Sequence, residues 1–178
     1  LKLMPIMRNT MTDKTTTDDL EEDIPFDIYL DIQVKENLPG LPTEDEVKQW
    51  VEAVLVGRLE QTDVAVRVVD ENESAMLNHK FRGINKSTNV LSFPFENEPG
   101  LFLPILGDIV LCAPVITREA NEQKKSSQAH WAHMIVHGML HLLEYDHQTD
   151  DEAETMEQLE VDLLASLGFS NPYESDES

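Results

Sequence analysis

Cysteine and long apolar runs are nearly absent from this sequence. A single thiol, Cys112, among 178 residues excludes an internal disulfide framework and a cysteine-based zinc site, so His, Asp and Glu remain as metal ligands. The apolar runs are too short for a transmembrane helix, and residues 1–14 lack the apolar segment of a secretory signal. We therefore expect a cytoplasmic protein with no membrane partner.

Positive charge is also scarce. The sequence has 13 Lys and Arg against 35 Asp and Glu, which gives a net charge of −22, and no Lys or Arg follows Lys125. Such a chain does not bind a polyanion by bulk attraction, and we expect no binding to DNA. The densest basic stretch is HKFRGINK, residues 79–86, where any phosphate-bearing ligand would have to bind.

The apolar pattern predicts one α+β domain, a mixed sheet of about four strands covered by helices. Strands are predicted at 26–34, 62–70, 89–95 and 107–112. Pro94 marks the end or the edge of the third strand, and residues 96–105 form a loop. The domain is expected to span 25–170, between a disordered acidic leader (1–24) and an acidic tail (171–178).

Helical spacing and capping residues predict the helices. Thr43 with Glu46, and Thr149 with Glu152, form capping boxes at two helix starts. Further helices are predicted at 71–82, ending at Gly83, at 115–124, at 127–143 and at 150–167. The buried stripe of the last helix is expected to be Met156, Leu159, Leu163 and Leu167.

The stretch HGMLHLLEYDH, residues 137–147, spaces three histidines as H-x3-H-x5-H. On the helix predicted at 127–143, His137 and His141 lie one turn apart on one side, where two imidazoles can share a metal. Such a pair alone is more often solvated or hydrogen-bonded. His147 changes the interpretation, because the full spacing matches the zinc-peptidase pattern H-E-x-x-H-x-x-G-x-x-H. We expect all three to bind one metal ion and to leave a fourth position open.

Four neighbouring residues bear on this interpretation. Zinc peptidases of that pattern have a glutamate general base directly after the first histidine, and here the position is Gly138. That mechanism is therefore not expected. His130 and His133 are not expected to bind the metal. Each is interpreted as a residue that supports the ligands from behind, as a structural residue or as a surface residue. Asp146 could orient an imidazole or cap the turn.

Several motifs resemble the YbeY family of rRNA-maturation endoribonucleases. HGMLHLLEYDH is very similar to the family signature H-G-x-L-H-L-x-G-Y-D-H, and residues 81–96, FRGINKSTNVLSFPFE, resemble R-x-x-x-K-x-T-N-V-L-S-F-P. LGDIVLC (106–112) and DDEAETMEQLE (150–160) also fit. The resemblance runs in order from about residue 26 to residue 173.

The resemblance implies a cytoplasmic, metal-dependent endoribonuclease specific for single-stranded RNA. Its substrate would be an rRNA precursor, matured at the 3′ end of the small-subunit rRNA, and it would act in ribosome quality control with the small subunit and assembly factors. It also implies zinc bound by His137, His141 and His147 on a zincin-like helix, with His137 and His141 counted among the catalytic residues. Arg82 is then a functional residue of the active cleft. A guanidinium there suits phosphate, because it forks onto phosphate oxygens and offsets charge on phosphorus.

Two other functions remain open on the residues alone. One is a metal-dependent hydrolase of another substrate, whose peptidase form Gly138 disfavours. The other is a non-enzymatic ribosome assembly factor with a structural zinc, which a fourth ligand such as Asp146 would favour. The charge of −22 further suggests that a ribosomal partner presents the RNA.

Glu144 departs from the pattern, because both signatures have glycine at that position. Glycine there allows a left-handed turn that returns the third histidine to the site. A Cβ in that conformation costs roughly 1–2 kcal/mol. Either the turn absorbs this strain or His147 is held differently.

Overall fold

Four strands and five helices follow one another along residues 27–174, the part of the chain that this computed structural model describes. The strands are β1 (Asp27–Val34), β2 (Gln61–Val69), β3 (Val90–Pro94) and β4 (Ile105–Cys112). The helices are α1 (Glu44–Leu55), α2 (Glu71–Arg82), α3 (Ala113–Glu122), α4 (Ser127–Leu142) and α5 (Asp150–Ser166). The predicted α+β class is confirmed. The predicted leader, 1–24, lies outside the described residues.

The strands form one mixed sheet in the order β1-β2-β4-β3. β1, β2 and β4 are parallel, whereas β3 runs antiparallel to β4. β3 is therefore an edge strand, which explains how Pro94 can end it: the proline lacks an N–H, and only one side of the strand is paired. The mixed sheet of four strands was predicted from the alternating apolar residues, and it is confirmed.

Several boundaries differ from the predictions by one or two residues, and two of these differences have a clear physical reason. β4 begins at Ile105, two residues before the predicted start, because Asp63 pairs with Ile105 ahead of a bulge in the register. α3 begins at Ala113 rather than at 115, and Pro114 lies in its first turn, where the missing N–H has no helical partner to lose. Val34, at the end of the edge strand β1, is 47% exposed.

Both predicted capping boxes are present. The Thr43 N–H donates to the Glu46 carboxylate at 2.8 Å, and the Glu46 N–H donates to the Thr43 hydroxyl at 3.2 Å. At α5 the corresponding distances between Thr149 and Glu152 are 3.1 and 3.2 Å. These caps satisfy N–H groups that have no partner within their helices, so the sequence sets the start of α1 and of α5 locally.

α4 is the central helix of the core. It packs against α1, α3 and α5 and lies on β3 and β4. Every residue from His130 to Leu142 is buried except His137 and His141, which are half-buried. The helix therefore reaches solvent in this stretch only at the two histidines that the spacing had singled out.

Gly138 brings α4 into close contact with the sheet. A Cβ on this residue would lie 2.9 Å from Val90 Cγ2 and 3.3 Å from Ile109 Cγ2. The Ser92 hydroxyl donates to the Gly138 carbonyl oxygen at 2.9 Å, which ties the helix to β3. The position that holds a catalytic glutamate in zinc peptidases therefore has no room for any side chain here.

Replacing Gly138 with valine should destabilise the fold. Overpacking of a close contact costs about 1–3 kcal/mol in free energy of unfolding, and Val90 and Ile109 are both buried. The measurement is chemical denaturation followed by circular dichroism. Ser127→Val, at the exposed start of the same helix, is the control and should change stability by less than about 0.5 kcal/mol. Equal stability of Gly138→Val and the parent would contradict the close packing.

Candidate metal centre

Three histidines converge where α4 ends. His137 and His141 come from its last two turns and His147 from the loop before α5. One ring nitrogen of each lies within 4.8 Å of the others, and this set can hold a metal ion. The two helical rings are half-buried and His147 is exposed. The structure thus brings together the three predicted ligands.

The turn after α4 returns His147 to the site. The Tyr145 N–H donates to the Leu140 carbonyl oxygen, and the Glu144 N–H donates to that of His141, both at 3.0 Å. This is a Schellman motif, which places its first residue beyond the cap in the left-handed region. Glu144 occupies that position with φ 68°. The turn therefore has the shape that glycine would allow, and a residue with a Cβ adopts it.

The hydrogen bonds of the two helical histidines fix which nitrogens carry protons. His141 Nδ1 lies 3.0 Å from the Tyr145 carbonyl oxygen, which can only accept, so this nitrogen is the donor. His137 Nδ1 donates to the carboxylate of Glu160. In the neutral form of both rings the two Nε2 atoms present lone pairs, and they lie 3.2 Å apart. Two lone pairs at that distance repel each other unless a cation lies between them.

This geometry suits a metal. Two nitrogens on one tetrahedral zinc ion, each bound at 2.0–2.1 Å, are separated by about 3.3 Å, close to the 3.2 Å found between the Nε2 atoms of His137 and His141. Burial lowers the pKa of His141, and the neighbouring His137 and His147 imidazoles lower it further. His141 is therefore neutral at pH 7, the form that binds metals.

Glu160, on α5, is the buried carboxylate behind the centre. Its side chain is fully buried and accepts hydrogen bonds from His137 Nδ1 and from the Tyr173 hydroxyl. His133 Nε2 lies 3.6 Å from Glu160 Oε2. Burial alone would raise the pKa of Glu160, but the hydrogen bonds from His133, His137 and Tyr173 hold this pKa at about 2. The carboxylate is therefore ionised at neutral pH.

Sequence reasoning did not find Glu160. The predicted stripe of α5 was Met156, Leu159, Leu163 and Leu167. The three leucines are only partly buried, and the fully buried ridge is Met156, Glu160 and Leu164. The spacing of the sequence could have indicated that Glu160 is buried. Glu160 lies four residues after Met156 and four before Leu164, so it shares one face of the helix with two apolar residues.

His130 and His133 are interior residues rather than surface ones, with 2% and 8% of their area exposed. His130 Nε2 lies 2.8 Å from Glu119 Oε2, and Glu119 also accepts from the Asn89 side-chain amide at 3.1 Å. Burial lowers the pKa of His130, against the opposing effect of Glu119. Both histidines therefore belong to the polar groups behind the metal centre.

Asp146 caps the turn. Its carboxylate accepts the His147 backbone N–H at 2.8 Å and the Gln148 side-chain amide at 2.6 Å. It does not belong to the metal-binding set found among the described residues. Of the two roles considered for Asp146, the hydrogen bonds support the cap, and Glu160 instead contacts an imidazole.

Arg82 ends α2 and is exposed. It lines a groove of about 510 Å³ together with Lys86, Ser87 and Thr88. None of the three metal-centre histidines lines this groove. Its wall also includes Glu119, whose carboxylate contacts His130 of α4.

Replacing Glu144 with glycine should raise the free energy of unfolding by roughly 0.5–1 kcal/mol, because glycine adopts the left-handed conformation without strain. Thermal and chemical denaturation of the metal-free protein measure the change. Glu144→Ala removes the carboxylate but keeps the Cβ, so it should give no such gain. An equal gain in both variants would attribute the effect to the carboxylate rather than to the backbone.

No helix within residues 27–174 is both long enough and apolar enough to cross a membrane.

Comparison with known proteins agrees with this geometry. The family model described as endoribonuclease YbeY matches residues 31–168. Among solved structures, the chain is similar to TM1509 from Thermotoga maritima, whose solution structure superimposes with a TM-score of 0.51 at 23% identity and covers 83% of this chain and 99% of that one. That similarity bears on the fold alone. The family match, which covers most of the sheet and the three histidines, shows that the chain belongs to the YbeY family of endoribonucleases.

Proposed function

We propose that this protein is a zinc-dependent endoribonuclease that cleaves single-stranded RNA during rRNA maturation in the cytoplasm. The observation that supports the metal most strongly is the pair of facing Nε2 lone pairs of His137 and His141, 3.2 Å apart with His147 beside them. Membership of the YbeY family supports the reaction on RNA.

The three histidines would hold the zinc ion. A zinc ion bound by neutral imidazoles acidifies water and polarises a phosphoryl oxygen, which is the chemistry that phosphodiester hydrolysis needs. The role of the protein chain is to keep the imidazoles neutral and oriented. The hydrogen bonds of both Nδ1 atoms orient His137 and His141, and burial lowers the pKa of His141.

Arg82 would bind the phosphate backbone of the RNA. The guanidinium is exposed on a groove that also contains Lys86 and the hydroxyls of Ser87 and Thr88. These side chains are cations and hydrogen-bond donors, the groups that proteins use to position phosphates. Arg82 would also offset negative charge that develops on the phosphorus centre.

The partners follow from charge and family. A net charge of −22 opposes tight binding of free RNA, because phosphates are repelled over most of the surface. The rRNA would therefore be presented by the small ribosomal subunit or its assembly factors, with the 3′ end of the small-subunit rRNA as the substrate and ribosome quality control as a second role.

Two alternative functions receive less support. A purely structural zinc needs a fourth protein ligand, and Asp146 is instead engaged by the His147 N–H and Gln148. A peptidase of the zinc-peptidase type needs a base at position 138, where the sheet leaves no room for a side chain.

Alanine at His137 or His141 should abolish both metal binding and RNA cleavage. Each variant removes one of the two ligands that are held by the rigid helix. Metal content by elemental analysis and cleavage of a single-stranded RNA oligonucleotide, with and without chelator, measure the two losses. Full cleavage by a metal-free variant, or by the chelated parent protein, would contradict a metal-dependent reaction.

Arg82→Ala should retain the metal and lose RNA cleavage. Loss of one positioned group that stabilises charge in the transition state lowers kcat by roughly 10²–10³-fold. The control is Lys48→Ala, since Lys48 is an exposed cation on α1 that forms an ion pair with Glu52 at 3.7 Å, and its activity should match the parent. Normal cleavage by Arg82→Ala would exclude the proposed role.

A further inference from the structure

We propose that Glu160 and Tyr173 are positioning residues that set the metal affinity of the centre. Glu160 holds the His137 imidazole so that Nε2 faces the metal, and Tyr173 holds Glu160. The inference rests on the proposed function only in requiring that the three histidines bind a metal ion.

The first step is the contact between α5 and α4. His137 Nδ1 donates to Glu160 Oε1, which fixes both the tautomer and the orientation of the ring. An ionised partner also makes the imidazole a stronger donor to a metal, and loss of such a partner typically lowers metal affinity roughly 10–100-fold.

The burial of Glu160 argues for a function beyond packing. An ionised carboxylate in the interior is costly unless it is fully hydrogen-bonded, and Glu160 lies between Met156 and Leu164 on the buried ridge of α5. A leucine at this position would continue the ridge and avoid the cost. The carboxylate therefore has a use in the contacts it makes with the row of histidines on α4.

Tyr173 completes the shell of Glu160. Its hydroxyl donates to Glu160 Oε2 and lies 3.4 Å from His133 Nε2. His133 Nε2 is itself 3.6 Å from the same carboxylate oxygen. Each carboxylate oxygen thus has a donor, Oε1 from the ligand His137 and Oε2 from the Tyr173 hydroxyl.

The segment after α5 holds Tyr173 in place. Phe169 packs edge-on against Trp50, with ring centroids 6.1 Å apart, and Lys125 Nζ donates to the Pro172 carbonyl oxygen. Residues 169–173 therefore fold back along α4. Tyr173 belongs to the segment predicted as a tail, 171–178, and yet it is connected through Glu160 to the predicted metal ligand His137. The domain boundaries remain a prediction.

The test measures metal affinity without RNA. Zn²⁺ affinity by competition with a chromophoric chelator, and the visible spectrum of the Co²⁺ form, are compared for the parent, Glu160→Gln, Tyr173→Phe and the double variant. Glu160→Gln keeps the shape and removes the charge, and it should weaken Zn²⁺ binding roughly 10–100-fold and change the Co²⁺ spectrum. Tyr173→Phe should have a smaller effect, and the two should be non-additive because they act through one carboxylate.

The control is Glu157→Gln, which removes a carboxylate from the exposed side of α5 and should leave affinity and spectrum unchanged. The melting temperature of each metal-free protein separates positioning from folding. A lower melting temperature with parental affinity and spectrum would overturn the inference and make Glu160 a folding residue. Should Glu160→Gln fail to fold, Tyr173→Phe decides: weaker Zn²⁺ binding supports the inference and parental binding overturns it.

The outcomes also separate this inference from the proposed function. A parent protein that binds Zn²⁺ but cleaves no RNA overturns the nuclease and leaves the positioning test intact. A parent protein that binds no metal overturns both.

Discussion

The close approach of α4 to β3 at Gly138 is the contact on which the rest of the centre depends. With only hydrogen on Gly138, the helix backbone lies against Val90 and Ile109, and the Ser92 hydroxyl fixes it there. Because residues along a helix are separated by fixed angles, this contact decides which side of α4 presents His137 and His141. A larger residue at 138 would displace the helix and both imidazoles with it. The glycine that excludes a peptidase base is therefore also the residue that sets the position of the metal ligands.

A row of polar side chains runs from the metal centre into an otherwise apolar core. His130, His133, His137 and Glu160 are buried or half-buried, and such groups are stable only when they are hydrogen-bonded. Glu119 contacts His130 Nε2, Glu160 accepts a hydrogen bond from His137 Nδ1, and His133 Nε2 lies 3.6 Å from Glu160. Ligand orientation and core stability thus depend on the same hydrogen bonds.

Local signals in the sequence predicted most of the fold and the three ligands. Capping boxes, alternating apolar residues and helical spacing act over a few residues, so Thr43, Thr149 and the histidine spacing could be interpreted without a structure. Glu160 and Tyr173 could not, because Glu160 contacts a residue 23 positions away and Tyr173 one 40 positions away. The strain at Glu144 was predictable from the glycine in the family pattern. The sequence could not predict that Glu144 would adopt the left-handed conformation of a Schellman turn, with φ 68°. A turn of a different shape was equally compatible with the sequence.

The three predicted ligands lie on elements that differ in rigidity, a helix and a loop. His137 and His141 belong to a buried helix that opens only with much of the core, whereas His147 is exposed on a short loop and can move away by local opening at a much lower free energy. Exchange of a metal bound by these three histidines would therefore not require the fold to open. The helical pair would keep its arrangement while the short loop that carries His147 moved away.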